Sequence, residues 1–337
     1  MRFFSMQFLR KGAIALIAIL LCTSCQFLPD LAYNPWEFTP VATTGNLLDV
    51  AFIENSDHGW IVGSEATLLE TTDGGKTWEA KVLDLGEEKV RFNSVSFRGS
   101  EGWVVGEPAT LLHTTDQGKS WTRTVLSEKL PGAPYTIVAL DKNSAEMATD
   151  IGAIYVTQDG GQTWKALVED AVGVVRNVSR AADGRYVTVS AKGNFYSTWE
   201  PGEKSWEPHN RYSSKRLENI GFGKDGRLWM IARGGELRFS DPEGEEGWSS
   251  PINPEYASSW GFLDLAYRTP EEIWVSGGSG TLICSLDGGE TWQKDDDVGA
   301  VPGNFNRIKF ISPEKGFILG QRGTLLRYTG MAPDAAA

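Results

Sequence analysis

Along most of the chain, apolar residues alternate with small or polar ones in runs of about six, and glycine-rich turns separate the runs. Alternation with this period predicts half-buried strands. In the first cluster the runs are LLDVAF, GWIVG, TLLETT and TWEAKV, with an Asp-Gly turn between the last two, as a hairpin demands. The same order then returns at a fixed spacing. TTDGGKTW ends at Trp78, TTDQGKSW at Trp121, TQDGGQTW at Trp164 and SLDGGETW at Trp292, with looser copies ending at Trp206 and Trp248. Successive tryptophans lie 42 to 44 residues apart, and one step back from Trp78 falls on Trp36 in NPWEFTPV. Four short strands per repeat at this period predict a propeller blade, so the fold class is all-β, a seven-bladed β-propeller of four-stranded antiparallel blades. The last repeat offers FNRIKF, GFILG and TLLRYT but no fourth strand. NPWEFTPV is expected to supply it and close the ring.

Aligning the first strands of the blades gives columns. The fourth is aliphatic throughout: Val50, Val95, Val138, Val178, Ile220, Leu265, Ile308. The fifth is small except at Lys309, and the sixth is large and apolar except at Arg180. Second strands bring an aromatic at a matched place, in Trp60, Trp103, Trp229, Trp274 and Phe317. These columns predict strands with their faces in the cores between blades. Eleven of the 13 tryptophans occupy repeat positions; Trp199 and Trp260 do not.

The N-terminus does not follow this pattern. Arg2, Arg10 and Lys11 precede an apolar stretch from Ala13 to Leu21, too short to span a bilayer of roughly 30 Å as a helix. Thr23 and Ser24 before Cys25 resemble a lipoprotein signal-peptidase site, although Cys22 stands where an aliphatic residue is more usual. The expected organisation is a leader over 1–24, lipid attachment at Cys25, a linker to 34, the propeller over 35–330 and a disordered tail over 331–337. Removing the leader takes away three cations and no acids, so the formal charge moves from −12 to −15. Such a balance argues against nucleic acid as a partner. After cleavage Cys25 and Cys284 remain, and with Cys25 lipidated no intramolecular disulfide can form.

The turn motif S/T-x-D-x-G-x-T-W, an Asp-box, places Asp73, Asp116, Asp159 and Asp287 where their carboxylates can accept bonds from backbone N–H groups of their own turns. Their expected role is structural. Asp-boxes also occur in glycoside hydrolases, so an exported hydrolase or carbohydrate-binding lipoprotein is the alternative reading. Such an enzyme needs an acid pair facing the axial channel. The third first-strand column reads Asp49, Ser94, Ile137, Asn177, Asn219, Asp264 and Arg307, two acids several blades apart. His58, His113 and His209 lie in different blades without metal-ligand spacing. No catalytic residue, metal or cofactor is expected.

Charge separates around one face, formed by the second-to-third strand loops and the entrances to the first strands. Blades one to three place Glu65, Glu107 and Asp150 there. Blades four, five and seven place Lys192, Arg233 and Arg322, with Arg176, Arg216 and Arg307 at first-strand entrances. Blade six has only Gly-Ser-Gly, and Arg91 is a lone cation on the acidic side. Arg176 and Arg180 lie four apart in one strand, a spacing that predicts the same side of the sheet. The arc suits an acidic or carboxylate-bearing partner; local pairing to Glu218, Glu236 or Asp264 is the competing expectation.

The chain resembles the photosystem II stability and assembly factors of oxygenic phototrophs. The resemblance covers the whole mature chain and rests on the lipobox-like Cys25, the NPWE closing segment, the Asp-box repeats, RNVSRAADGRYVTVSAKGNFYSTW and the terminal GQRGTLLRYTG. It implies a non-enzymatic, chaperone-like monomer in the thylakoid lumen, tethered to the membrane through Cys25. It further implies binding of newly made reaction-centre subunits and their precursor during assembly and repair, and an arginine-rich patch mapping onto Arg176, Arg180, Arg216 and Arg307. A lipid anchor implies a cyanobacterium, because the plastid relatives are soluble.

Overall fold

A computed structural model describes residues 28–330, apart from 87–88, 128–129, 242–246, 255–260 and 302. Seven antiparallel sheets follow one another along the chain. Their innermost strands are Leu47–Phe52, Arg91–Arg98, Pro134–Asp141, Val175–Arg180, Leu217–Phe222, Phe262–Tyr267 and Phe305–Ser312. Six blades have four strands. In blade five, among the described residues, the fourth position is held by two isolated bridges, Leu237 with Ile252 and Ser240 with Trp248. The ring closes as the repeat count requires. Trp36–Phe38 pairs antiparallel with Leu325–Tyr328, in register Trp36 to Tyr328 and Phe38 to Leu326.

Apolar cores lie between neighbouring blades, and the columns explain how they fill. A small fifth-column residue stands directly across from the second-strand aromatic: Ala51 from Trp60, Ser96 from Trp103, Gly221 from Trp229, Ala266 from Trp274. The indole needs that space, since a Cβ on Gly221 would fall 2.5 Å from the Trp229 ring. Trp199, outside the repeat pattern, is buried as well and donates to the Glu203 carbonyl. The Asp-boxes are built as expected. Asp73 accepts the N–H groups of Lys76 and Thr77 and the Thr71 hydroxyl, and Trp78 donates back to the Gly75 carbonyl.

Every inner strand has an irregularity after its first residue, or after its second in blade two, so that one extra residue is inserted: Leu48, Asn93, Tyr135, Arg176, Glu218, Leu263 or Asn306. Such a bulge breaks the two-residue parity of a strand. Blade three has a second irregularity at Leu140, and this corrects the column alignment there. Thr136 holds the third place, Ile137 the fourth and Val138 the fifth, as their cross-strand partners Ala148, Met147 and Glu146 show. Glu146 therefore occupies the site of the second-strand aromatic.

The propeller also begins earlier than its expected boundary at residue 35. Pro29 to Leu31 runs parallel to the outer strand of blade six: Lys294 N–H donates to the Pro29 carbonyl and Leu31 N–H to the Lys294 carbonyl. The leader, Cys25 and the tail over 331–337 lie outside the described residues.

Candidate functional site

Column three lines the axial channel and joins the blades. Asp49 accepts Val95 N–H and the Ser94 hydroxyl of blade two. The Ser94 hydroxyl accepts Ile137 N–H of blade three. Asn177 donates to the Ile220 carbonyl, Asn219 to the Leu263 carbonyl, Asp264 accepts Ile308 N–H, and Arg307 donates to the Leu48 carbonyl. Six of the seven junctions are thus tied by one column. Buried backbone groups at a strand edge need partners, and these side chains supply them. The two acids weighed for glycoside chemistry are both engaged in this ring.

The charges in the channel act on one another. Lys309 Nζ is 2.9 Å and Arg307 Nη1 3.5 Å from Asp49. Burial raises the Asp49 carboxyl, but these two cations outweigh it and hold it below the ordinary carboxylate range. Asp264 has no such close cation; burial pushes it up to about 6, against the pull of Arg307 and its backbone donors. Burial lowers Lys309 despite Asp49. In the Asp-boxes the side-chain and backbone bonds of Ser120 and Thr163 bring Asp116 and Asp159 down to about 2. At Asp287 burial pulls upward, and the Thr291 bonds overcome it to give about 2.

These shifts have opposite consequences for stability. Asp264 binds its proton more tightly folded than unfolded, where an Asp titrates near about 3.9. Its contribution is full below about pH 4 and lost as pH rises through about 6. The Asp-box carboxylates contribute above about pH 4 and lose that contribution as pH falls toward about 2. Melting temperature should therefore drop in acid and also decline between pH 4 and 6. Burial pushes Asp295 up to about 6 as well, so Asp264→Asn should remove part of the second decline and leave the first unchanged. A variant that keeps the second decline in full would show that Asp264 does not contribute to it.

The basic arc divides into three parts. Lys192, Arg216, Arg233 and Arg322 are exposed, and none is paired with an acid among the described residues. Arg233 N–H donates to the Arg216 carbonyl, which sets these two cations side by side on blade five. Arg176 is bonded to Glu218 of blade five, and Arg307 lies in the channel mouth. On the acidic side, Glu65 and Glu107 are exposed and Asp150 is half-buried, capping Ala133 N–H.

Arg180 departs from expectation. It does not share a side with Arg176: Arg176 reaches forward to blade five, Arg180 back to Glu146 of blade three, at 2.8 Å. The bulge at Arg176 is the reason the even spacing misleads. Arg180 also packs over the Tyr186 ring, and only 15% of its side chain is exposed. Trp60 and Phe97 stack between blades one and two at the equivalent places; here an ion pair replaces that contact. Arg180 is thus a residue of the inter-blade core, away from the open arc. Sequence reasoning missed Glu146, whose signal was the lack of an aromatic in the second strand of blade three. It also missed Tyr135, a bulge residue whose hydroxyl donates to the Arg176 carbonyl across the channel mouth.

Residues 28–329 match the family model of the photosynthesis system II assembly factor YCF48. The photosystem II assembly lipoprotein Ycf48 of Trichormus variabilis is 58% identical over 95% of this chain and 94% of its own length. Its namesake from Synechocystis is 57% identical over 97% and 96%. A solved structure described as YCF48 bound to D1 peptide superposes with a TM-score of 0.88 at 56% identity, covering 90% of this chain and all of that one.

Proposed function

Because the chain belongs to the photosystem II assembly factor YCF48 family, we propose that it binds newly made reaction-centre subunits of photosystem II and promotes their early assembly without chemistry of its own. It works as a monomer on the luminal side of the thylakoid membrane, tethered through lipidated Cys25. The client is a carboxylate-bearing segment of a reaction-centre subunit, in keeping with the D1 peptide held by the solved relative. The observation that supports this reading is the set of exposed cations Lys192, Arg216, Arg233 and Arg322, none paired with an acid among the described residues, on a chain of strongly negative charge. A local field of opposite sign steers an acidic segment to one face, and the planar guanidinium forks can each grip a carboxylate with two bonds. Arg176 and Arg307 border this surface at the channel mouth.

Reversing Arg216 and Arg233 to Glu should weaken client capture, chiefly through slower association and an altered salt dependence. Stability should barely move, because exposed charges contribute roughly 0–1 kcal/mol. Reversal of Glu65 and Glu107 to Lys is the control and should leave capture largely intact. Capture lost in the control but kept in the arginine variant would assign docking to the other side of the ring.

Cys25→Ala should abolish lipidation and release the protein from membranes or block its processing. Metabolic fatty-acid labelling that still marks the Ala variant would refute attachment at Cys25.

A further inference from the structure

The segment that leads out to Cys25 is fastened to one place on the ring. Pro29 to Leu31 extends the sheet of blade six through two backbone bonds to Lys294. Leu28 packs into the core between blades five and six, Leu31 into the core between blades six and seven. The two leucines therefore straddle the outer edge of blade six. Only Gln26 and Phe27 separate Leu28 from Cys25, a span of at most about 11 Å when fully extended. A domain of this size has a radius of gyration of roughly 19 Å, so it is several tether lengths across.

We propose that the outer rim of blade six is the membrane-facing surface of the ring, apposed to an electroneutral lipid surface, with blades two and three turned away from it. The proposal rests on lipid attachment at Cys25. Three observations support it besides the tether length. Among the described residues the exposed large aromatics are Tyr33, Phe38 and Tyr212; Tyr33 follows the fastened segment by two residues, and Phe38 lies on the outer strand of the neighbouring blade seven. Leu286, in the Asp-box turn of blade six, is exposed too. Aromatic side chains with a polar edge suit the interfacial layer of a bilayer. Asp30, Asp296 and Asp297 are exposed on the same rim, so a strongly anionic surface would repel it, and a neutral headgroup layer would not. Opposite blade six in a seven-bladed ring stand blades two and three. The cations of blades five and seven then lie in the half of the ring nearer the membrane, within reach of short luminal loops of an embedded client.

The test uses the lipidated mature chain bound to phosphatidylcholine vesicles containing a nitroxide-headgroup lipid. A fluorophore is placed at Glu290→Cys or Lys119→Cys, equivalent exposed positions in the Asp-boxes of blades six and two. Cys284 is buried and does not compete for the label. Quenching should be several-fold stronger at position 290. Inserting a flexible Gly/Ser linker of about twelve residues after Gln26, adding roughly 20 Å of reach, should equalise the two positions while vesicle binding persists. The Leu28→Glu, Leu31→Glu double variant should do the same by releasing the segment. Equal quenching in the unaltered protein, stronger quenching at 119, or an asymmetry that survives both changes would overturn the orientation. Failure of the unaltered protein to associate with vesicles at all would instead overturn the lipid-anchor reading beneath it.

Discussion

A chain lacking residues 33–41 should lose far more stability than one lacking residues 332–337, and it should self-associate. The N-terminal strand contributes more than three residues of pairing. Thr39 N–H donates to the Leu325 carbonyl and Thr329 N–H to the Pro35 carbonyl, extending the ladder at both ends. Arg327 pairs with Glu37 at 2.7 Å. Trp36 is 5% exposed and sits among Trp274, Tyr328 and Phe310, with ring centroids 5.3 to 5.7 Å away. Truncating such a buried Trp to Ala costs about 3–5 kcal/mol on its own. Removing the whole strand also leaves Leu325–Tyr328 as an open sheet edge, a template for pairing with another chain. Thermal melts and light scattering of the two truncations check this. Similar melting of both would mean that the ring does not depend on its N-terminal closure.

The second large effect is expected at Glu146 and Arg180. Changing either one to Ala should cost about 3–5 kcal/mol, because the survivor is left as an unpaired charge inside the ring. Glu146 is 6% exposed and accepts both Nε and Nη2 of Arg180. Replacing the pair with two leucines should recover most of the loss, since the same two places are apolar between blades one and two. A double-mutant cycle by denaturant unfolding measures the coupling. Single changes that each cost under about 1 kcal/mol would place the pair with exposed ion pairs instead. While folded, the Arg180 variants should still capture the client, in contrast to the variants of Arg216 and Arg233.

Repeats, strand order and blade number are legible in the sequence because each is local, and ring closure follows from the count, since the last repeat lacks a fourth strand and NPWEFTPV is left to supply it. A blade's pattern is written within one stretch of about forty residues, and the same pattern is written again for the next blade. The alternation of small and large columns is likewise visible, and the structure supplies its cause in blades one, two, five and six, where a tryptophan lies across from the small residue. The Asp-box turns are the most local feature of all: each carboxylate bonds within four residues of itself.

The candidate site was legible only in outline. That cations gather on blades four, five and seven could be read directly. Which of them are free could not, because their partners come from other blades. Arg176 meets Glu218, 42 residues on; Arg180 meets Glu146, 34 residues back; Arg307 meets Leu48 across the closure, 259 residues away. The bulges made this worse. One extra residue at the start of an inner strand reverses the side on which every earlier residue points, and a second one in blade three shifted a whole column. Sequence therefore fixed the blades one by one, through periodic patterns that each strand satisfies with its neighbours. Only the closed ring decided which charges are used up between blades and which remain on the surface, because that depends on side chains that meet across junctions far apart in the chain.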